Sequence, residues 1–526
     1  MRLFLILITT LTVCCTPAEQ EQTKQSTTKN QPNIIFIMTD DHAKNAMSLY
    51  GSELINTPNL DRIGRDGMVF NRSYVTNSIC GPSRAVFLTG KYSHINGFRD
   101  NSDAFDGSQM TYPKILQQNG YYTGVVGKWH LKSKPQGFDY WNVLIDQGDY
   151  YNPTMVHMGD TIDHTGYTTS IITDLAIEVL NQQVPADKPF CLMVHHKAPH
   201  RNWMPDSVHL ALGEQTYPLP ENFYDSYENR PAAAQQDQSI SQMFMSSDMK
   251  LKPSLIQVET GTGGAGDNSN IAAGWQRLYD RLTDEQKKTW DAYYDPISDD
   301  FFNRNLSGNE LLEWKYQRYI NDYLKCIMSV DENVGRLLTY LEEQGTLDNT
   351  LIIYTSDQGF YLGEHGWYDK RFMYEESFGM PLVMRYPPLI KPGSVNNNLV
   401  LNLDFAPTLM ELLGIETNEP WQGSSYLSLL NGTQEEIHQD GIYYHYYEYP
   451  HGWHKVKRHY GVSTSRYKLI HFYHDIDHWE LFDLQQDPME MNNIYSTADP
   501  ELIKEMKEKL VGLQDRYGDE VAKGYN

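Results

Sequence analysis

What this 526-residue sequence has little of narrows its chemistry before any motif is read. Cysteine is scarce: five in all, two of them at positions 14 and 15, which leaves Cys80, Cys191 and Cys326 in the body of the chain. Three cysteines over that length exclude a disulfide framework, and their spacing fits no zinc site. Positive charge is short as well. Lys and Arg number 43 against 68 Asp and Glu, a formal net charge of −25, which repels nucleic acid and anionic membrane surfaces unless basic residues gather locally. No internal apolar run reaches the length of a membrane span, and no repeat is visible.

What is present begins with "MRLFLILITTLTVCC", where Arg2 precedes an apolar run from Leu3 to Val13. That is the pattern of an export signal over residues 1–15. Cys14 and Cys15 resemble the lipid-acceptor position of bacterial lipoproteins, so the expectation is an exported protein of the periplasm or cell surface with a lipid anchor. Residues 16–31 are polar and rich in Gln and Thr, as a disordered linker is. Residues 32–435 then read as one large domain with an insertion at about 218–275, and 436–526 as a smaller C-terminal unit.

In the large domain, apolar runs end in chemically capable residues. "NIIFIMTDDH" leads into Asp40, Asp41 and His42, "YTGVVGKWH" into Lys128 and His130, "PFCLMVHHKAPH" into His195, His196 and His200, and "TLIIYTSDQG" into Asp357 and Gln358. With helical patterns between them, such runs predict buried parallel strands of an α/β sheet, whose ligands sit at the carboxyl ends of the strands. The polar residues therefore converge. Three carboxylates there form a hard oxygen set suited to Ca²⁺ or Mg²⁺. From about Gly441 aromatic strand-like pieces such as "IYYHYYEY" precede one helical stretch, predicting a small antiparallel sheet with a covering helix. Gly261, Gly263 and Gly266 match a nucleotide-binding G-x-G-x-x-G literally, but in a polar insertion rather than at the first turn of a βαβ unit, so a loop is expected. Cys191 and Cys326, in apolar surroundings, read as core residues.

Cys80 is different. It stands at the mouth of a helix expected over about Ser83 to Leu88, where free N–H groups attract an anion and Arg84 adds a fork of donors. A thiolate would be stabilised there too, which suggests a cysteine hydrolase. The run Cys80-Gly81-Pro82-Ser83-Arg84, continued to Gly90, resembles the signature of the type I, formylglycine-dependent sulfatases, within the alkaline-phosphatase-like superfamily. The resemblance extends over nearly the whole chain from Asn33 and is strongest to bacterial polysaccharide sulfatases and the N-acetylglucosamine 6-sulfatase branch.

That resemblance implies a large alkaline-phosphatase-like domain with a mostly parallel sheet, and a sulfuric ester hydrolase acting on a sulfated carbohydrate, whether glycosaminoglycan, mucin or an algal polymer such as ulvan or carrageenan. It implies that a formylglycine-generating maturation enzyme oxidises Cys80. It makes Asp40, Asp41, Asp357, Gln358 and the residue-80 oxygen the ligands of a calcium ion, and places Lys128, Lys370 and Arg84 around the sulfate. His130 becomes the base and His200 the acid, an assignment that could be interchanged. Arg458 and His459, in "PHGWHKVKRHYG", are candidate substrate contacts. His195 and His196 are expected to form site wall, and Tyr150, Tyr151 and Trp203 to be either sugar platforms or core. The basic clusters predict a positive pocket in an acidic shell. A phosphodiester or phosphonate hydrolase of the same superfamily, and a non-catalytic glycan-binding lipoprotein, are the alternatives.

Overall fold

The computed structural model describes residues 31–256, 269–433 and 436–525. The leader, Cys14 and Cys15, most of the linker, and Gly261, Gly263 and Gly266 lie outside those residues.

Strand Asn33–Thr39 occupies the middle of a ten-stranded sheet, parallel to Phe190–His195 on one side and to Thr350–Ser356 on the other. Phe190–His195 is followed by Tyr122–Gly127 and Tyr140–Leu144, again parallel. Antiparallel strands close both flanks, Leu382–Arg385 beside Thr350–Ser356 and Thr154–His157 beside Tyr140–Leu144. The central strand is apolar throughout because both its faces are covered. Ile35 and Ile37 point into a core shared with the helices Thr168–Gln182 and Gly308–Glu343, while Ile34, Phe36 and Met38 pack against Phe87, Phe405 and Leu409 on the opposite face.

Register decides where the chemistry gathers. Thr39 pairs with Ser356, and His195 pairs with both Met38 and Gly127. The residues that follow these strands therefore emerge side by side at one edge of the sheet.

The first half of the helix Gly308–Glu343 packs on the helix Asp284–Arg304, Trp314 lying 4.4 Å from Phe301 between ring centroids. The described part of the segment 218–275 is no solvated excursion, for Met243, Phe244, Met249 and Leu251 are buried.

The C-terminal strands Ile442–Tyr446, His459–Ser463, Tyr467–Phe472 and His478–Asp483 form an antiparallel sheet covered by the helix Pro500–Tyr517. It shares one aromatic core with the segment 361–378 of the large domain, where Phe372 packs on Phe472 and Tyr374 on Phe482. The two sheets thus meet beside the segment that carries Lys370.

Candidate active site

Cys80 opens the helix Cys80–Thr89, which starts three residues earlier than its apolar pattern suggests because Gly81 and Pro82 suit a first turn. The Cys80 sulfur lies 3.3 Å from His130 Nδ1, and Asn101 holds it from the other side, its Oδ1 accepting from the Gly81 N–H at 3.3 Å and its Nδ2 3.5 Å from the sulfur. Burial alone would raise the thiol, but His130, Lys128 and Lys370 hold it well below the ordinary cysteine range. Residue 80 thus sits in a pocket built to stabilise negative charge.

Arg84 ties the surrounding strands together. Its Nε donates to Asp357 at 2.9 Å and its Nη1 to the Lys128 carbonyl at 2.8 Å, with all three residues buried. Lys128 follows Gly127, whose φ of 100° suits glycine and whose missing Cβ lets the turn approach the His195 carbonyl, which a Cβ would meet at 1.9 Å. Asp41 and His130 also have left-handed backbone, φ 70° and 54°, a strained geometry that gathers at functional sites.

The acids lie where the register puts them. Asp41 N–H donates to Asp357 Oδ1 at 3.2 Å, Lys370 Nζ reaches both Asp41 oxygens at 2.5 and 2.7 Å, Lys128 pairs with Asp40, and Gln358 Nε2 donates to Asp41. Asp40 Oδ1 and Gln358 Oε1 are buried without a partner. Burial, joined by the charge of neighbouring carboxylates, raises Asp41 and pushes Asp357 up to about 7. Crowded carboxylates with two orphaned oxygens form a hard donor set, and they fit a divalent cation such as Ca²⁺ or Mg²⁺. Asp40, Asp41 and His200 also bring ligand atoms within 4.8 Å of one another, so His200 borders the same spot.

The two histidines are distinguished by their partners. His200 Nδ1 lies 2.5 Å from the Arg201 carbonyl, which only accepts, so Nδ1 carries a proton and Nε2, 3.8 Å from Asp41, is the atom free to exchange one. His130 turns Nδ1 to residue 80 and Nε2 toward Asp146 at 3.5 Å. Burial works against its charge, but the Cys80 thiolate and Asp146 raise it.

A cavity of about 690 Å³ opens above Cys80, His130, His200 and Lys370. Its wall carries Lys132, Lys197, Arg201, Arg277, Lys370 and Arg371 but also Asp100, Asp146, Asp149, Asp369 and Glu448, so it is balanced in charge rather than positive as expected. The basic clusters bring acidic partners with them, as where Arg371 bonds Asp369 and Glu448.

Arg458 and His459 are not in this cavity. Arg458 forms a two-pronged pair with Asp475, at 2.8 and 3.1 Å, and His459 is fully buried against Phe372, Tyr444 and Tyr446, its Nε2 accepting from Met373 N–H. The reason is that His459 already begins a strand packed on the shared core, while the preceding turn, His451 to His454, is what reaches the wall. Trp203 and Tyr151 are core, Trp203 packing 4.6 Å from Tyr319 and Tyr151 donating to the Pro205 carbonyl. Tyr150 does line the cavity, its hydroxyl bonded to the His200 carbonyl at 2.6 Å. His195 and His196 do not line the cavity as expected but are buried behind it, His195 Nδ1 lying 3.0 Å from the Lys128 carbonyl. Sequence reasoning missed Asn101, for which no signal existed. The charged runs "DKR" and "HKVKRH" were legible as pocket-lining segments, and Asp369, Arg371 and His454 are the members of them, beside Lys370, that reach the cavity.

Known proteins match this chain along most of its length. The family model described as "Sulfatase" matches residues 32–415, and one described as "N-sulphoglucosamine sulphohydrolase, C-terminal" matches 363–516. An N-acetylglucosamine-6-O-sulfatase of Bacteroides thetaiotaomicron is 48% identical over 514 residues, covering 96% of this chain and 89% of that protein. The human N-acetylglucosamine-6-sulfatase is 25% identical over 93% of this chain and 85% of its own length. A solved structure of a protein bound to its substrate D-glucosamine-2-N,6-O-disulfate superimposes with a TM-score of 0.87 at 48% identity, covering 93% of this chain and 99% of that one.

Proposed function

The chain belongs to the sulfatase family, and on that premise we propose that this sulfuric ester hydrolase removes the 6-O-sulfate from N-acetylglucosamine or glucosamine units of a sulfated glycan. The observation that carries the substrate class is the 48% identity to an N-acetylglucosamine-6-O-sulfatase, sustained along 96% of the chain. Oxidised by a maturation enzyme to formylglycine, residue 80 would supply a hydrated aldehyde as nucleophile and an exit for the sulfate. A calcium ion held by Asp40, Asp41, Asp357 and Gln358, with the residue-80 oxygen, would polarise the sulfate.

The chain's own groups divide the remaining work. Lys128 and Lys370 offer ammonium groups to the sulfate oxygens as charge builds on them. Arg84 acts through Asp357 and the Lys128 carbonyl, fixing both. His130 Nδ1, in contact with residue 80, is placed to take a proton there, whereas His200, whose burial favours the neutral ring with its proton on Nδ1, would have to take up a second proton at Nε2, beside Asp41, before giving it to the sugar oxygen as the S–O bond breaks. Export and a lipid anchor at Cys14 or Cys15 belong to the proposal and rest on the leader pattern alone.

The test is sulfate release by protein matured together with a formylglycine-generating enzyme, on the 3-, 4- and 6-sulfates of N-acetylglucosamine and on a 6-phosphate ester. Release from the 6-sulfate, with residue 80 found as the aldehyde by peptide mass spectrometry, is the expected result. Preference for another isomer or for the phosphate would reject the substrate, and an unmodified thiol in active protein would reject the mechanism.

A further inference from the structure

Of the ten tryptophans, Trp453 alone is exposed, at 42%, and it stands on the wall of the cavity that contains residue 80. An apolar ring left in water forgoes the free energy of burial, and this chain buries Trp203 and Trp367 completely.

The ring is packed by one side chain, and the turn that carries it is anchored by the next residue. The Arg201 guanidinium lies over it, 5.8 Å from the ring centroid and within cation–π range. Arg201 is itself locked by Asp248, which accepts from its Nε at 2.8 Å and Nη2 at 2.6 Å and also takes the Asn202 side chain and the Phe244 N–H. The turn is anchored by His454, which bridges the Asp237 carbonyl at 2.8 Å and Asp369 at 3.0 Å, and whose own carbonyl accepts from Asp237 N–H. Gly452 turns the chain at φ 73°, where a Cβ would meet the Glu448 carboxyl carbon at 2.2 Å. A rigid aromatic face pre-pays the ordering that binding otherwise costs.

Taking the glycan-sulfatase reading above as its basis, we infer that Trp453 is the platform for the sugar ring adjoining the sulfated one, so that the enzyme is built for oligosaccharides rather than free monosaccharides. A pyranose presents a face of C–H groups that packs on an aromatic ring as other apolar surfaces do. The cavity, about 690 Å³, is of the size that encloses a drug-sized ligand, which exceeds one sulfated hexosamine.

The experiment compares wild type, Trp453→Ala and Trp453→Phe on N-acetylglucosamine 6-sulfate and on a trisaccharide carrying that residue. Trp453→Ala should raise KM about tenfold more for the trisaccharide than for the monosaccharide, and Trp453→Phe should recover most of the loss. An equal change on both substrates, or none on the trisaccharide, overturns the inference. Wild type inactive on both 6-sulfates would instead reject the substrate assignment. Calorimetry then decides the platform separately, with the desulfated trisaccharide and proteins carrying Cys80→Ala alone or with Trp453→Ala. A Kd about tenfold weaker in the double variant supports the platform, and equal Kd values overturn it.

Discussion

At the scale of single residues, shape counts as much as charge. Arg84 spans Asp357 and the Lys128 carbonyl with one planar group, and a lysine ammonium cannot make both bonds at that geometry. Arg84→Lys is expected to lower kcat/KM by about a hundredfold, on the order of 3 kcal/mol, with the far-ultraviolet circular dichroism unchanged. Kinetics near those of wild type would remove Arg84 from the architecture of the site. Cys80→Ala should abolish sulfate release while leaving the thermal midpoint close to that of wild type. Retained turnover would move the nucleophile elsewhere. The run from Cys80 to Gly90 was legible because it is one contiguous pattern at a helix start, although His130, Lys128 and Lys370, far away in sequence, set the charge around residue 80. Asn101 was not, since nothing in "RDNSD" tells that its amide cradles a residue 21 positions away.

At the scale of elements, the segment from Asp357 to Lys370 is held to the inserted region by a buried polar cluster around Asp225. Asp225 accepts from Arg230 at 2.6 and 2.7 Å and lies 2.7 Å from His365. Burial opposes its charge, but the bonds from His365 and Arg230 hold it down to about 2. A carboxyl depressed in the folded state stabilises above its ordinary value of 3.8, and that contribution fades as pH falls toward about 2. Asp225→Asn should therefore cost about 3 kcal/mol near neutrality, and the gap between its thermal midpoint and that of wild type should narrow steadily from about pH 5 to about pH 2. A gap independent of pH would mean that packing, not charge, makes the clamp. The strands of this scaffold were readable as apolar runs because both faces are covered. Partner choices such as Asp225 with His365, 140 positions apart, were not.

At the scale of the whole molecule, a net charge of −25 surrounds a cavity wall whose cations are matched by acids. Without a strong attracting field, KM for a sulfated oligosaccharide should change less than about threefold between 50 and 500 mM salt, whereas a steered substrate would respond steeply. The carboxylate cluster makes the opposite prediction for metal. Added calcium should raise the thermal midpoint, and a chelator should lower both the midpoint and turnover, because an ion that binds only the folded state shifts its equilibrium. A midpoint indifferent to both would sink the cation site. By itself the sequence determined the family, the strands and the acids at their ends, all of which depend on local pattern and on burial of continuous apolar runs. Only the tertiary structure decided that Arg458 and His459 stand aside, that the turn from His451 to His454 forms the wall, and that the basic clusters are neutralised. Those outcomes depend on which way a loop faces and which distant acid it meets, and neither is encoded in neighbouring residues.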